Sequence, residues 1–366
     1  MSRVGILSMQ RIKNYGSFLQ AYALKSIIEE MGHSVEFVDY HVGEPLVESE
    51  KSKSKFLKGI DVFKGDEPIL QKLKYIHHKS TFEKNFFNIL EIGKQKNYNP
   101  KLDVLVIGSD EVFNCIQSNP NVGYSLELFG KNNNANKVIT YAASFGNTTI
   151  DKIKKYNKID ELASLLKKID NISVRDKNSG NVIKKLVDRD VSYNLDPVLI
   201  YDYMNKNIVP EVHVKEKYLL VYAYSGRIKK QESDYIKKIA KQRNLKVYSI
   251  GGAQKCADKF IDCSPFEIFS YFKNAEFIIT DTFHGSIFSI VTHRPFVTLV
   301  RKSIEEKYGN EEKLTDLLER LNLDNRIIYD YKNIESKLEE NIDYNEIENL
   351  LSNERKKSIE YLEEKI

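Results

Sequence analysis

Tryptophan is absent from the 366-residue sequence, and cysteine occurs only three times, at Cys115, Cys256 and Cys263, with no C-x-x-C pair. An odd and scattered set of this kind offers no disulfide framework and no paired zinc ligands. Small residues beside buried strands are the expected role for these thiols. Neither sign of charge prevails: lysine and arginine number 56 and aspartate and glutamate 52, a formal net charge of +4. A dedicated nucleic-acid binder would carry a strong basic excess, so that class is disfavoured. No apolar run approaches the ~20 residues that span a bilayer. The start, Met1-Ser2-Arg3 followed by Val4-Gly5-Ile6-Leu7, lacks the long apolar core of a secretory signal, and a cytoplasmic address is expected. No G-x-G-x-x-G follows the first strand and no G-x-x-x-x-G-K-[ST] occurs, which weighs against a dinucleotide dehydrogenase and a P-loop enzyme. H-E-x-x-H and G-x-S-x-G are missing too.

What is present is an alternation of strands and helices. Hydrophobic residues make up 41% of the chain and charged residues 30%, a composition that folds. At about 150 residues per domain, the length points to two domains. Tyrosine (22) and phenylalanine (18) supply the aromatic filling. Val4-Gly5-Ile6-Leu7 reads as a strand, 17–31 as a helix by its apolar spacing, and Val35-Glu36-Phe37-Val38 as a second strand. Gly32 stands where a C-terminal helix glycine belongs. Such a β-α-β unit requires a parallel sheet under its helix. Strands at 102–107, 138–143 and 172–174 follow, closing on the polar turns Gly108-Ser109-Asp110, Ser144-Phe145-Gly146 and Arg175-Asp176. The pattern restarts with strands at 218–223, 247–250, 277–280 and 296–300 and a helix over 231–243. Ser264-Pro265-Phe266-Glu267 has the serine, proline and glutamate of a capped helix start. Residues 344–366 read as a final amphipathic helix.

Residues 51–84 have another texture, with nine lysines against four acids, a surplus larger than the net charge of the whole chain. Gly59, Gly65 and Pro68 interrupt the helical spacing. Helical pieces in a basic insertion over a sheet edge are expected, either a solvated face or a patch that attracts an anionic carrier or membrane surface. The predicted organisation is an N-terminal α/β domain over 1–205, with this insertion at about 45–100, and a C-terminal α/β domain over 206–366 that ends in the terminal helix. Ligands of open α/β sheets bind at the carboxyl ends of strands. A cleft between the carboxyl edges of both sheets is therefore the expected site.

The sharpest local signal is Asp281-Thr282-Phe283-His284-Gly285-Ser286, a histidine at a strand-to-helix junction. With a helix beginning at Ser286, the amides of Gly285, Ser286 and Ile287 would be helix-terminal donors suited to phosphate. The imidazole could add a hydrogen bond or move a proton near neutral pH. A histidine that only caps the loop is the plain alternative.

Further segments join this one: Asn14-Tyr15-Gly16-Ser17-Phe18-Leu19-Gln20-Ala21-Tyr22-Ala23-Leu24, Gly108-Ser109-Asp110-Glu111-Val112-Phe113-Asn114, Tyr141-Ala142-Ala143-Ser144-Phe145-Gly146, Ser173-Val174-Arg175-Asp176, Leu195-Asp196-Pro197, Thr280 through Ser289, and Arg294-Pro295-Phe296. In this order, over residues 4 to about 328, they make the chain resemble the polysaccharide pyruvyl transferase family. The resemblance implies an α/β fold of two Rossmann-like domains facing a cleft, GT-B-like, with a C-terminal helix. It implies transfer of a pyruvyl group from phosphoenolpyruvate to a sugar as a ketal. The acceptor would be a cell-surface or exopolysaccharide glycan or a lipid-linked sugar. The setting would be the cytoplasm, with peripheral contact at the inner face of the membrane as an option. No cofactor, no metal and no nucleic acid are implied, and oligomerisation stays open.

That chemistry needs cations and amides for the donor's phosphate and carboxylate, a proton for its methylene carbon and a base for the sugar hydroxyl. By position in the family's motifs, His284 is the first candidate for proton transfer or phosphate contact. Asp110 is a candidate base or holder of the acceptor hydroxyl, with a turn-former as its plain alternative. Arg175 suits carboxylate or phosphate, against a surface ion pair with Asp176 or Glu161. Asn14 and Gly16 open the first helix, where capping alone would explain the asparagine. Ser144, Gly285 and Ser286 complete the substrate-binding candidates, together with Arg301 and Lys302, for which a solvated pair is the alternative. One position departs from the family: an arginine often stands two residues before the signature histidine, and this sequence has Thr282. A hydroxyl cannot replace a bidentate guanidinium. Either Arg301, Lys302 or Arg227 takes that role, or the donor differs. A GT-B glycosyltransferase using a nucleotide sugar, and a non-catalytic glycan- or nucleotide-binding relative, remain the competing readings.

Overall fold

The structure is a computed structural model and describes residues 1–47, 66–301 and 311–366. Lys302 and the lysines at 51, 53, 55, 58 and 64 lie outside the described residues. The chain divides into two compact units, each assembled from separated segments. The first comprises Met1–Lys51, Phe87–Tyr201 and Asn349–Ile366, and the second Ser52–Phe86 and Asp202–Glu348. Two short segments are distributed differently from the long runs of chain. The helical part of the lysine-rich insertion goes with the second unit, and the end of the terminal helix goes with the first.

The first unit holds a six-stranded parallel sheet in the order β2-β1-β3-β4-β5-β6. Its strands are β1 (Arg3–Leu7), β2 (Ser34–Phe37), β3 (Lys101–Asp110), β4 (Asn134–Ala143), β5 (Ser173–Val174) and β6 (Ser192–Tyr193). Val4, Ile6, Val104, Val106 and Ile107 are buried, as expected for parallel strands covered on both faces. The helix Tyr15–Glu30 connects β1 to β2 and ends at Met31, after which Gly32 turns left-handed (φ 89°) and donates to the Glu29 carbonyl. Phe113, Phe129 and Phe145 stack in the core, with centroids of the first pair 4.7 Å apart. The terminal helix Tyr344–Lys365 joins this unit late in its course. There the Ser358 hydroxyl accepts from the Leu195 amide at 3.0 Å, and Tyr361 donates to the Thr140 carbonyl at 3.0 Å.

The second unit repeats the architecture, in the order β12-β11-β10-β7-β8-β9. These strands are β7 (Tyr218–Tyr222), β8 (Lys246–Ile250), β9 (Lys259–Phe260), β10 (Phe277–Thr280), β11 (Phe296–Leu299) and β12 (Ile327–Ile328). Ser264 and Glu267 form the reciprocal capping bonds expected of them, at 2.7 and 3.3 Å. The helix Ile69–Phe86 packs on the edge strand β9, with Tyr75 and His78 against the Phe260 ring and Gln71 donating to the Ala257 carbonyl. The insertion thus covers a sheet edge as expected, and the edge is that of the second sheet. Cys115, Cys256 and Cys263 are buried.

Candidate functional site

Each sheet has one place where the chain leaves neighbouring strands in opposite directions. In the first unit it lies between β1 and β3, in the second between β7 and β10. Loops at the carboxyl ends of such a pair diverge and open a crevice, the usual ligand position in open α/β sheets. The sequence candidates sort themselves onto these two points.

At the β1/β3 point, Asn14 is extended (φ −147°) and its side chain accepts from the Ser17 amide at 2.7 Å, so it caps the first helix. Gly16 lies buried in the first turn of that helix. Ser17 donates its hydroxyl to Asp110 at 2.8 Å across the switch point. Arg175, at the end of β5, lays one nitrogen on Asp110 at 3.2 Å and another on Asp196 at 2.8 Å, with its side chain 2% exposed. Burial works against the charge of Arg175, but Asp110, Asp196, Glu111 and Asp176 outweigh it and raise the guanidinium above its ordinary value. The surface pair with Asp176 or Glu161 is therefore replaced by a buried double pair, with partners 65 and 21 residues away. Asp196 also caps the short helix Pro197–Ile200. Ser144 is likewise turned inward: it donates to Asp176 at 2.6 Å and accepts from the Gly146 amide at 2.9 Å.

At the β7/β10 point the helix after β10 begins earlier than expected. It spans Phe283–Val291, with Thr282 as its N-cap. The Thr282 hydroxyl accepts from the Gly285 amide at 2.9 Å, and the Thr282 carbonyl accepts from the Ser286 amide at 3.2 Å. These two amides, expected to face an anion, are consumed in starting the helix. Gly285 is required by packing: a Cβ there would lie 2.0 Å from the Thr280 hydroxyl and 2.7 Å from the Tyr222 ring. The Ser286 hydroxyl meets that of Thr298 at 2.8 Å, so it ties the helix to β11. His284 stands in the first turn, 9% exposed, with its ring beside those of Phe283 and Phe288. Phe288 in turn packs on Tyr222 of β7, which fixes the helix over the switch point.

The charges at this point were only partly foreseeable. Arg301 makes a two-pronged pair with Glu232, at 2.6 and 2.8 Å, and is not a solvated cation. Arg227 follows β7, partly exposed, with its guanidinium over the Tyr224 ring at 4.7 Å. Asp281, 0% exposed, follows β10 directly; burial pushes its carboxyl up to about 6, and Arg227 and Arg301 offset only part of that. No group of three or more histidine, cysteine, aspartate or glutamate side chains among the described residues could hold a metal.

A family model, that of the polysaccharide pyruvyl transferases, matches residues 14–303, which include the helix after β1 and the strands β2 through β11. The chain belongs to this family. None of the curated proteins matches it. Among solved structures it is similar to an O-GlcNAc transferase mutant of Thermobaculum terrenum (11% identity, TM-score 0.42, 99% of this chain and 64% of that one). It is also similar to S. aureus MnaA with UDP (11%, 0.47, 90% and 84%) and to the UDP-GlcNAc 2-epimerase of Neisseria meningitidis (10%, 0.42, 92% and 97%). At these scores the likenesses carry no chemistry over to this chain. The two parallel sheets agree with the GT-B-like expectation of two Rossmann-like units.

Within this pyruvyl transferase family member, the residues that sequence reasoning passed over are Ser17, Asp196, Glu232 and Asp281. Ser17 and Asp196 stood in quoted motifs, but their partners lie across the sheet. The sign of Asp281 was legible, and its burial was not.

Proposed function

We propose that this pyruvyl transferase family member moves the pyruvyl group of phosphoenolpyruvate onto a sugar of a cell-surface or exopolysaccharide glycan, or of its lipid-linked precursor, as a ketal. The observation that carries the reading is the β7/β10 switch point. There His284 occupies the first turn of a helix, and the partly exposed Arg227 follows the neighbouring strand. The donor presents a phosphate and a carboxylate on a small skeleton, which suits a guanidinium. Its methylene carbon takes a proton while a sugar hydroxyl adds to the adjacent carbon. A second hydroxyl then displaces phosphate and closes the ketal. His284, with its ring in the first turn of the helix after β10, is assigned that proton transfer. Asp281, fully buried, acts on the site through its charge and does not touch substrate. Arg301 is paired with Glu232, and Arg227, partly exposed after β7, is assigned to the donor. Thr282 starts the helix that carries the histidine. Work on a lipid-linked acceptor would set the protein in the cytoplasm, at the inner face of the membrane.

The test is a donor panel on the full chain with glycan acceptors. Phosphate release from phosphoenolpyruvate is expected, and His284→Ala should lower it about 100-fold or more with unfolding unchanged. Nucleotide release from a sugar nucleotide would establish the glycosyltransferase reading instead. Binding of either donor without turnover would establish a non-catalytic relative.

A further inference from the structure

The helix Ile69–Phe86 buries one face and leaves an unusual one outside. Gln71, Lys72, His78 and Phe82 are buried against the second unit. A helix docked this way ordinarily shows polar residues outward. Here the outer face carries Ile69 (65% exposed), Leu70 (73%), Leu73 (48%) and Ile76 (38%). These are four of the ten large exposed hydrophobics among the described residues, gathered within eight positions of one helix. Positions 69, 73 and 76 follow the i, i+4, i+7 spacing of a single stripe, and Leu70 extends it sideways.

Lysine supplies the exposed charge on this helix: Lys74 and Lys84 are exposed, while Glu83 is half-buried. The acids nearby are engaged elsewhere: Asp66 pairs with Lys255 at 2.8 Å, and Glu67 with the buried Lys72 at 3.2 Å. We propose that this outward face docks the protein on the surface of an anionic lipid bilayer. Leucine and isoleucine would enter the headgroup boundary while lysine meets lipid phosphate. A second copy of the chain fits less well, because a two-fold contact would bring the same lysines together. The inference stands apart from the chemistry at the switch points.

The experiment is co-sedimentation of the full chain with vesicles of phosphatidylglycerol and phosphatidylcholine, against phosphatidylcholine alone. Binding to the anionic vesicles is expected, and it should fall at high salt. The triple variant Leu70→Ser, Leu73→Ser, Ile76→Ser should lose binding more than tenfold with unchanged thermal unfolding. Lys74→Glu with Lys84→Glu, which leaves the apolar stripe intact, should weaken it by about fivefold or more per lysine. Absence of binding to anionic vesicles, or equal binding by the triple variant, would overturn the proposal. So would wild-type self-association in sedimentation velocity that the triple variant abolishes without vesicles, since the occupant would then be a second copy.

Discussion

The two switch points place an aspartate at the same position and treat it in opposite ways. Asp110, the last residue of β3, has a guanidinium nitrogen of Arg175 3.2 Å away and a serine hydroxyl 2.8 Å away, and Arg175 itself is held on its other side by Asp196. Asp281, after β10, is sealed from solvent and held up to about 6, with Arg227 and Arg301 only partly offsetting its burial. The first arrangement is a lock that joins the loops after β3 and β5 to the helix after β1. The second stores a carboxyl whose charge is poorly supported, next in sequence to the histidine's helix. Buried groups with displaced titration gather where chemistry is done, whereas a paired and satisfied cluster is commonly architectural. Under the function proposed above, the second arrangement stands beside the chemistry and the first braces the sheet.

Removing Arg175 breaks this contrast most severely. Arg175→Met keeps the volume and leaves two carboxylates, Asp110 and Asp196, buried without their cation. Loss of one partner from such a cluster costs about 3–5 kcal/mol. Denaturant unfolding of the full chain should show it, with Arg175→Lys recovering part of the loss as a charge without the planar fork. A cost under ~1 kcal/mol would mean that Arg175 is not a lock and is available to a ligand.

Asp281 sharpens the other side. Burial lifts its carboxyl from an ordinary 3.8 to about 6, so the folded protein holds this proton more tightly than the unfolded chain does. The stability this confers is complete below pH 3.8, fades as pH rises, and is gone above about 6, where the carboxylate is held at a cost. A displacement of roughly two pH units corresponds to about 3 kcal/mol. Asp281→Asn should therefore gain on the wild type by up to that amount as pH is raised from 4 to 7, measured as the difference between their unfolding curves. A flat difference would place Asp281 in an environment no different from water.

The strand-end turns were legible because parallel strands announce themselves as apolar runs, and Ser144 and Arg175 lie directly after one. The three strands that went unseen, β6, β9 and β12, have two residues each, too few to show a period. Arg175 looked like a surface residue because its immediate neighbour Asp176 offers a local pair. Its real partners come from other strand ends, and only the parallel order β3-β4-β5 brings them together. The helix after β10 was placed three residues late for a related reason. Thr280, Asp281 and Thr282 are all residues that can cap a helix, and only the Thr282 hydroxyl on the Gly285 amide shows which of them does. The side assigned to the lysine-rich insertion depended on β9, which was invisible.

Thr282 gives the smallest and most discriminating effect. The family often carries arginine at this position, so the threonine reads as a lost donor contact, yet its hydroxyl caps the helix bearing His284. Thr282→Val keeps the shape and removes the acceptor, which should cost about 1 kcal/mol by thermal unfolding, while Thr282→Ser should keep nearly all of it. If the hydroxyl only positions the helix, phosphate release by the serine variant stays near wild type, and the valine variant loses rate through a misplaced imidazole. Thr282→Arg separates the two roles further. It supplies the cation and removes the cap, so a rise in donor affinity together with a fall in stability would show that this chain exchanged a direct grip on its substrate for a firmer helix start.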